Sequence, residues 1–193
     1  MGMSDNTPDA RPDEKYTQTF MGYAPKKIPF RVSAERIRHM HGVAELMFQY
    51  ADAFNCRAMD EYELYMLGLN HDIGYVRGKN GHEEAGSTLV TEIHKGIRSL
   101  MSECIRQHGR TPREYMEEHQ CSTSGIPNEL ILLWWADLTI ESDGEHAGEA
   151  VGFQKRLDRL KERCGENSRQ YASARETAEW LCSYIARKLM TMP

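Results

Sequence analysis

Apolar residues recur at intervals of three and four positions along most of the chain after Ser33. The first run consists of Ile37, Met40, Ala44, Met47, Ala51 and Phe54, and Ser33 stands where a helix N-cap is expected. Residues three and four apart share one face of an α-helix. This run therefore predicts an amphipathic helix that begins at Ser33.

The same periodicity predicts several further helices. A second helix is expected over about residues 59–73, with four inward-facing side chains: Tyr62, Tyr65, Met66 and Leu69. Later helices are expected over about 81–93, 97–108, 127–140, 147–163 and 168–190. The segment that begins with Pro127 is apolar on almost all sides, which indicates a central buried helix. No alternating strand pattern competes, so the sequence predicts an all-α bundle of six or seven helices.

The first part of the chain has a different composition. Residues 1–28 are rich in Pro, Asp, Thr and Lys and show no periodicity, which predicts a loosely ordered N-terminal arm. Residues 29–193 are then expected to form a single domain, because a chain of 193 residues is most simply one unit with a substantial core.

Composition excludes several classes of partner. The chain is 40% hydrophobic and 27% charged with a net charge of -5, so we expect no nucleic-acid partner. The longest apolar run, residues 130–136, falls far short of the roughly 20 residues that cross a membrane. The N-terminus has no apolar signal core, and the five cysteines are scattered without a C-x-x-C pair. We therefore expect a cytoplasmic protein without a membrane partner or a disulfide framework.

Ligand-type side chains lie at predicted helix ends or inside apolar segments. These are His39, His71, Asp72, His82, His108 and Asp137. Asp137 follows two tryptophans in the most apolar helix, where a carboxylate is costly to bury unless it is paired or binds a metal. His71 and Asp72 are neighbours, and neighbours on a helix point about 100° apart. They can share one site only at its edge, or if Asp72 leans across to a second ion.

Five short segments carry a resemblance to a known family. They are "RIRHMHGVAELM", "LGLNHDIGYV", "GHEEAG", "IRQHG" and "WWADLTI", which together span residues 36–140. In this order the chain resembles a small stand-alone member of the HD-domain superfamily of metal-dependent phosphohydrolases. The resemblance implies a helical HD-domain fold in which His39, His71, Asp72 and Asp137 hold one ion. It also implies that Asp72 bridges to a second ion held with His82 and His108.

One choice within this ligand set depends on spacing. The family histidine lies four residues before a Val-Ala pair, which here is Val43-Ala44, so His39 is preferred. His41 is the alternative. A site with one metal and four protein ligands also remains open, as does a buried polar network that holds no metal.

The resemblance implies an enzyme, and the donor set favours particular metals. One or two divalent transition-metal ions (Fe, Mn, Co, Ni or Zn) suit imidazole-rich ligation. They would generate a metal-activated hydroxide, with Asp72 as the catalytic bridge. The predicted reaction is hydrolysis of a phosphate ester or phosphoanhydride in a nucleotide or another small phosphorylated metabolite. Arg77, Lys79 and Arg110 are the candidate phosphate contacts, although solvated loop charges explain each of them equally well.

Departures from the family leave two other functions open. No lysine closely follows the His-Asp doublet, and the signatures of guanosine tetraphosphate hydrolases and cyclic-di-GMP phosphodiesterases are missing. One alternative is an HD-type di-iron oxygenase that cleaves a C-C or C-P bond, since some members with the same six ligands have this activity. A non-catalytic sensing module is the third reading, and the complete ligand set argues against it.

Overall fold

The computed structural model describes residues 32–78, 80–93, 99–140 and 149–190. This part of the chain contains eight α-helices, two short 3-10 helices and no strand. The predicted all-α class is therefore confirmed. The arm predicted over residues 1–28 lies outside the described residues.

The helices follow the predicted order with small shifts at their ends. Their bounds are α1 Ala34–Tyr50, α2 Glu61–Asn70, α3 His82–Ile93, α4 Ser99–Gln107, α5 Pro112–His119, α6 Asn128–Thr139, α7 Glu149–Cys164 and α8 Arg169–Met190. Ser33 caps α1 as predicted, and its side chain accepts a hydrogen bond from the backbone N–H of Arg36. Helix α2 is shorter than predicted at both ends, because Asp60 caps its start and a separate 3-10 helix, Ile73–Val76, follows it.

Helix α5 was not predicted, because "GRTP" reads as a helix break. The structure shows that this segment also starts a helix. Thr111 accepts a hydrogen bond from the backbone N–H of Glu114, and the Glu114 side chain accepts one from the backbone N–H of Thr111. This reciprocal pair is a capping box, with Pro112 in the first turn where its missing N–H costs nothing.

Helix α6 lies at the centre of the bundle. It contacts α1, α2, α4, α7 and α8, and residues 130–136 are all buried. The apolar character of this segment on all sides therefore has a structural cause, since neighbouring helices cover most of its surface. Its C-terminal half carries Asp137 into the same region as the ends of α2 and α4.

Helices α1 and α2 cross with their backbones in close contact. A Cβ atom at Gly68 would lie 2.5 Å from the Cα atom of Ala44, which is closer than any side chain allows.

Two side chains of these helices were expected to face inward and do not, since Ile37 is 40% exposed and Tyr62 is 41% exposed. Both lie near the N-terminus of their helix, where fewer neighbours cover the predicted inner face.

A second close approach brings the segment after α2 against α3. A Cβ atom at Gly74 would lie 1.7 Å from the carbonyl oxygen of His82. Only glycine fits there. The absence of a side chain lets the 3-10 helix pack against the first turn of α3, so that Asp72 and His82 come close together.

No helix within the described ranges is both long and apolar enough to cross a membrane.

Candidate metal centre

The first group of ligand-type side chains lies where α1, α2 and α6 meet. His39 lies on α1, His71 caps the C-terminus of α2, and Asp137 lies on α6. The His39 Nε2–H donates to the Asp137 Oδ1 at 2.8 Å, and the His71 Nε2 lies 3.7 Å from the same oxygen. One ligand atom each from His39, His71 and Asp72 falls within a mutual distance of 4.8 Å, a spacing compatible with one metal ion.

The second group is formed by Asp72, His82 and His108. Asp72 Oδ1 lies 3.3 Å from the Nε2 of His82 and 3.4 Å from the Nε2 of His108. These three side chains also offer ligand atoms within 4.8 Å of one another. The other oxygen of Asp72, Oδ2, lies 3.4 Å from the His71 Nε2. Asp72 therefore presents one carboxylate oxygen to each group.

The local backbone explains how adjacent residues serve different groups. His71 still has helical dihedral angles, whereas Asp72 has φ -102° and ψ 8° and starts the 3-10 helix. The chain leaves the α-helix between the two residues, so the fixed 100° offset no longer applies. This is the second of the two arrangements that the sequence left open, in which Asp72 leans across.

Two of the histidines are oriented by backbone carbonyls. The Nδ1–H of His71 donates to the carbonyl oxygen of Gly68 at 2.7 Å. The Nδ1–H of His108 donates to the carbonyl oxygen of Ile105 at 2.6 Å. Since a carbonyl can only accept, the Nδ1 of each ring carries a hydrogen. In the neutral imidazole the Nε2 is then the nitrogen left to bind a cation, and a hydrogen bond from the other ring nitrogen is typical of metal-ligating histidines.

His71 provides the most direct test of whether a metal fits. Its Nε2 atom is fully buried and has no hydrogen-bond partner among the described residues. A buried nitrogen without a partner costs free energy unless something binds to it. A divalent cation held by this nitrogen, His39 and the Asp72 carboxylate would meet that requirement. The donor set of imidazoles and carboxylates therefore fits a transition-metal ion.

The charges of the centre are strongly coupled. Burial alone would lower the pKa of His71, but the carboxylates of Asp72 and Asp137 raise it to about 10. Burial would likewise raise the pKa of the Asp72 carboxyl, but His71, His108 and His82 hold it well below its usual range. The pKa of Asp137 is also well below its usual range, since His39, His71 and Arg156 outweigh the effect of burial. Both carboxylates are therefore ionised at neutral pH.

Two arginines at the centre were missed by the sequence reasoning. Arg36 lies on α1, and its NH1 donates to the Asp72 Oδ2 at 2.5 Å, while its guanidinium stacks 4.4 Å from the centre of the Tyr75 ring. Arg156 lies on α7, and its NH2 is 3.5 Å from the Asp137 Oδ1. Arg36 is one helical turn before His39, a signal that could have been read. Nothing in the local sequence singles out Arg156 from the other charges of α7.

Two of the three predicted substrate contacts form ion pairs with glutamate side chains. Arg77 pairs with Glu92 at 3.0 Å, and Arg110 pairs with Glu118 at 2.5 Å. Lys79 lies outside the described residues. A role for these side chains in phosphate binding stays a prediction. His41, the alternative to His39, belongs to neither of the groups found among the described residues.

The comparison with protein families matches this arrangement. The sequence model of the HD domain matches residues 36–161, more than half of the chain and the whole span from Arg36 to Asp137. The chain belongs to the HD-domain family. Neither the search of curated proteins nor the search of solved structures returned a match. HD domains are generally metal-dependent phosphohydrolases, and the two groups of this HD domain are placed to hold divalent metal.

Proposed function

We propose that this HD domain hydrolyses a phosphate ester or phosphoanhydride in a nucleotide or another small phosphorylated metabolite. Its ligands would be those identified from the sequence, with Asp72 shared between a first position (His39, His71, Asp137) and a second position (His82, His108). Fe, Mn, Co, Ni and Zn are the candidate ions for both positions.

One observation carries the proposal. The two oxygens of Asp72 face different groups, with Oδ1 at 3.3 Å and 3.4 Å from the second pair of histidines and Oδ2 at 3.4 Å from His71. A carboxylate shared in this way suits two cations held a few ångströms apart, because its charge offsets their mutual repulsion. A buried network made only for stability would be expected to give the His71 Nε2 a well-formed hydrogen bond, whereas this nitrogen has only carboxylate oxygens at 3.4 Å and 3.7 Å.

The surrounding residues support phosphate chemistry. Bound divalent ions would lower the pKa of a water molecule to near neutrality and offset the negative charge of a phosphate. Asp72 would hold the two ions next to each other. The backbone carbonyls of Gly68 and Ile105 fix the orientation of the imidazole rings of His71 and His108. Arg36 adds a fixed positive charge on one side of the centre, where a phosphate oxygen could accept a hydrogen bond.

The test is metal analysis of the purified protein, followed by activity measurements after loading with each metal. A panel of phosphomonoesters, phosphodiesters and nucleotides is incubated with Mn, Co, Ni and Fe forms, with and without dioxygen. We expect release of phosphate or a nucleotide product that requires metal and does not require dioxygen.

Two other results would lead to the alternative functions. Dioxygen consumption by the reduced iron form, without hydrolysis of any phosphate compound, would replace the proposal with the di-iron oxygenase. Tight metal binding with neither activity would favour the sensing module.

A further inference from the structure

A cavity of about 440 Å³ lies between the first turn of α1 and the C-terminal half of α7. It is lined by Glu35, Arg156, Arg159, Leu160, Glu162 and Arg163. Its volume is within the range of about 300–1,000 Å³ that is usual for small-molecule sites. Charged side chains form five of its six lining positions, so any occupant is expected to be polar and charged.

The cavity adjoins the metal centre through two residues. Arg156 lines the cavity and also lies 3.5 Å from the Asp137 carboxylate. Glu35 lines it from α1, and the next residue, Arg36, donates to the Asp72 carboxylate. Arg156 therefore borders both the cavity and the metal centre.

The arginines of α7 form one face of that helix. Arg156, Arg159 and Arg163 are separated by three and four positions, so their side chains project from the same side. Each guanidinium presents a planar fork of N–H donors that matches phosphate and carboxylate oxygens. Arg159 and Arg163 are exposed, whereas the Arg156 side chain is only 18% exposed.

Arg156 has an incomplete set of hydrogen bonds. Its Nε atom is buried and has no hydrogen-bond partner in the described part of the chain. A buried donor of a charged group is costly to leave unpaired. An anion in the cavity would give this N–H an acceptor.

We propose that Arg156, Arg159 and Arg163 form a binding site for a second anionic group of the substrate. The inference rests on the proposed hydrolytic function, and it narrows the substrate to compounds with two anionic groups a short distance apart. One group lies at the metal centre and the other lies among the α7 arginines. Phosphate and carboxylate share the required chemistry for the second group.

Because the cavity contains two glutamates as well as three arginines, substitutions can either lower or raise its positive charge. Glu35 and Glu162 oppose the three arginines, so the cavity has only a small excess of positive charge. Removal of an arginine charge should weaken anion binding, and removal of the Glu162 charge should strengthen it. Arg159, Glu162 and Arg163 are exposed, and substitutions there should leave the fold intact.

The experiment measures binding of methylenediphosphonate and of orthophosphate to the metal-free, full-length protein by calorimetry. Without metal, the anions have only the cationic side chains to bind. The variants are Arg159→Gln/Arg163→Gln, Glu162→Gln and, as a matched control, Arg175→Gln, which removes an exposed arginine that pairs with Glu179 elsewhere on the surface.

We expect the double variant to bind methylenediphosphonate roughly five- to tenfold more weakly. Glu162→Gln should bind it more tightly, and the control should be unchanged. Equal affinities in all variants would overturn the inference, and so would a loss of the same size in the control, which would indicate non-specific attraction. The Arg159→Gln/Arg163→Gln variant, loaded with metal, should show a raised KM at an unchanged kcat for a doubly anionic substrate, and the Arg175→Gln control should keep the KM of the parent. Normal anion binding without any hydrolysis would instead contradict the proposed function and leave this site standing.

Discussion

The two groups of side chains proposed to hold metal differ in how firmly the fold holds them. The first position lies among the long central helices, with His39 2% and His71 0% exposed. The second includes His82, whose side chain is 13% exposed and which lies at the very start of α3. The Nδ1 of His71 donates to a backbone carbonyl at 2.7 Å, whereas the Nδ1 of His82 lies 3.3 Å from the Oε2 of a glutamate side chain, Glu83.

This difference has a chemical consequence. A ligand held by backbone within a packed core has little freedom to lose when a metal binds. A ligand at a helix start, oriented by a side chain, must be ordered during binding. We therefore expect the first position to bind metal more tightly and the second to exchange its ion more readily. Asp72 is part of both groups and would therefore couple the two positions.

The largest effect is expected from a change in the shared carboxylate. Asp72→Asn keeps the size of the side chain but removes the charge that allows two cations to lie close together. Hydrolysis should fall by several orders of magnitude, and the bound metal should fall below that of the parent protein. Turnover and metal content are measured together.

A matched variant controls for the loss of a carboxylate. Asp52→Asn makes the same chemical change at a side chain that is 88% exposed and pairs with Arg57, and it should be nearly silent. If Asp72→Asn turned over its substrate as fast as the parent, neither group could depend on a shared ligand.

A pair of histidine variants separates the two positions. His82→Gln should retain one tightly bound ion, because the first group does not include this ring. His71→Gln should weaken binding of the first ion by roughly 10- to 100-fold or more, since it removes the buried Nε2 donor. Metal stoichiometry by native mass spectrometry distinguishes the two variants. If both variants lost the same ion with the same change in affinity, the two histidines would not belong to separate positions.

A graded effect is expected from pH. The pKa of His71 is raised to about 10 in the metal-free protein, so this ring is protonated at neutral pH and must lose its proton when an ion binds. The affinity for the first ion should therefore fall by about tenfold for each pH unit below 10, and loading at neutral pH should release about one proton.

The sign for stability is opposite in the metal-free protein. A raised pKa means that the folded state holds the proton more tightly than the unfolded chain. This contribution is complete below about pH 6.5, the usual pKa of histidine, and is lost as the pH rises towards 10.

Calorimetric titration of the protein with metal, in buffers of different ionisation enthalpy, counts the protons that metal binding releases. A binding enthalpy that did not depend on the buffer would show that His71 is neutral before metal arrives.

The sequence predicted most of the helices and the six candidate ligands, but not the two arginines that contact the carboxylates of the site. Apolar spacing predicted α1 to α4 and α6 to α8, because burial of one face is recorded directly in the order of residues. It failed at Tyr62, since periodicity identifies a face and not how far the neighbouring helices reach along it. The six ligand candidates came from their place at helix ends and from the family resemblance, and the structure brings all six together.

Arg36 and Arg156 show why the rest could not be predicted. They approach the two carboxylates from α1 and α7, and their partners lie far away in the sequence. Arg156 is one of several charges on an amphipathic helix, and only the packing of α7 on α6 distinguishes it. Pairings of this kind depend on the crossing of helices, which the spacing of apolar residues along a single segment does not specify.

The contact between His39 and Asp137 has a consequence for the order of folding. These side chains are 98 residues apart in the chain, whereas His39 lies on α1 and His71 and Asp72 lie at the end of the next helix, α2. Closing the longer loop costs more entropy, and long-range contacts form slowly. Three ligands can thus meet soon after α1 and α2 pair, and Asp137 arrives only when α6 docks. Metal present during refolding is therefore expected to bind weakly at first and tightly once Asp137 joins the other ligands. The rate of tight metal binding should then equal the rate of the final folding step.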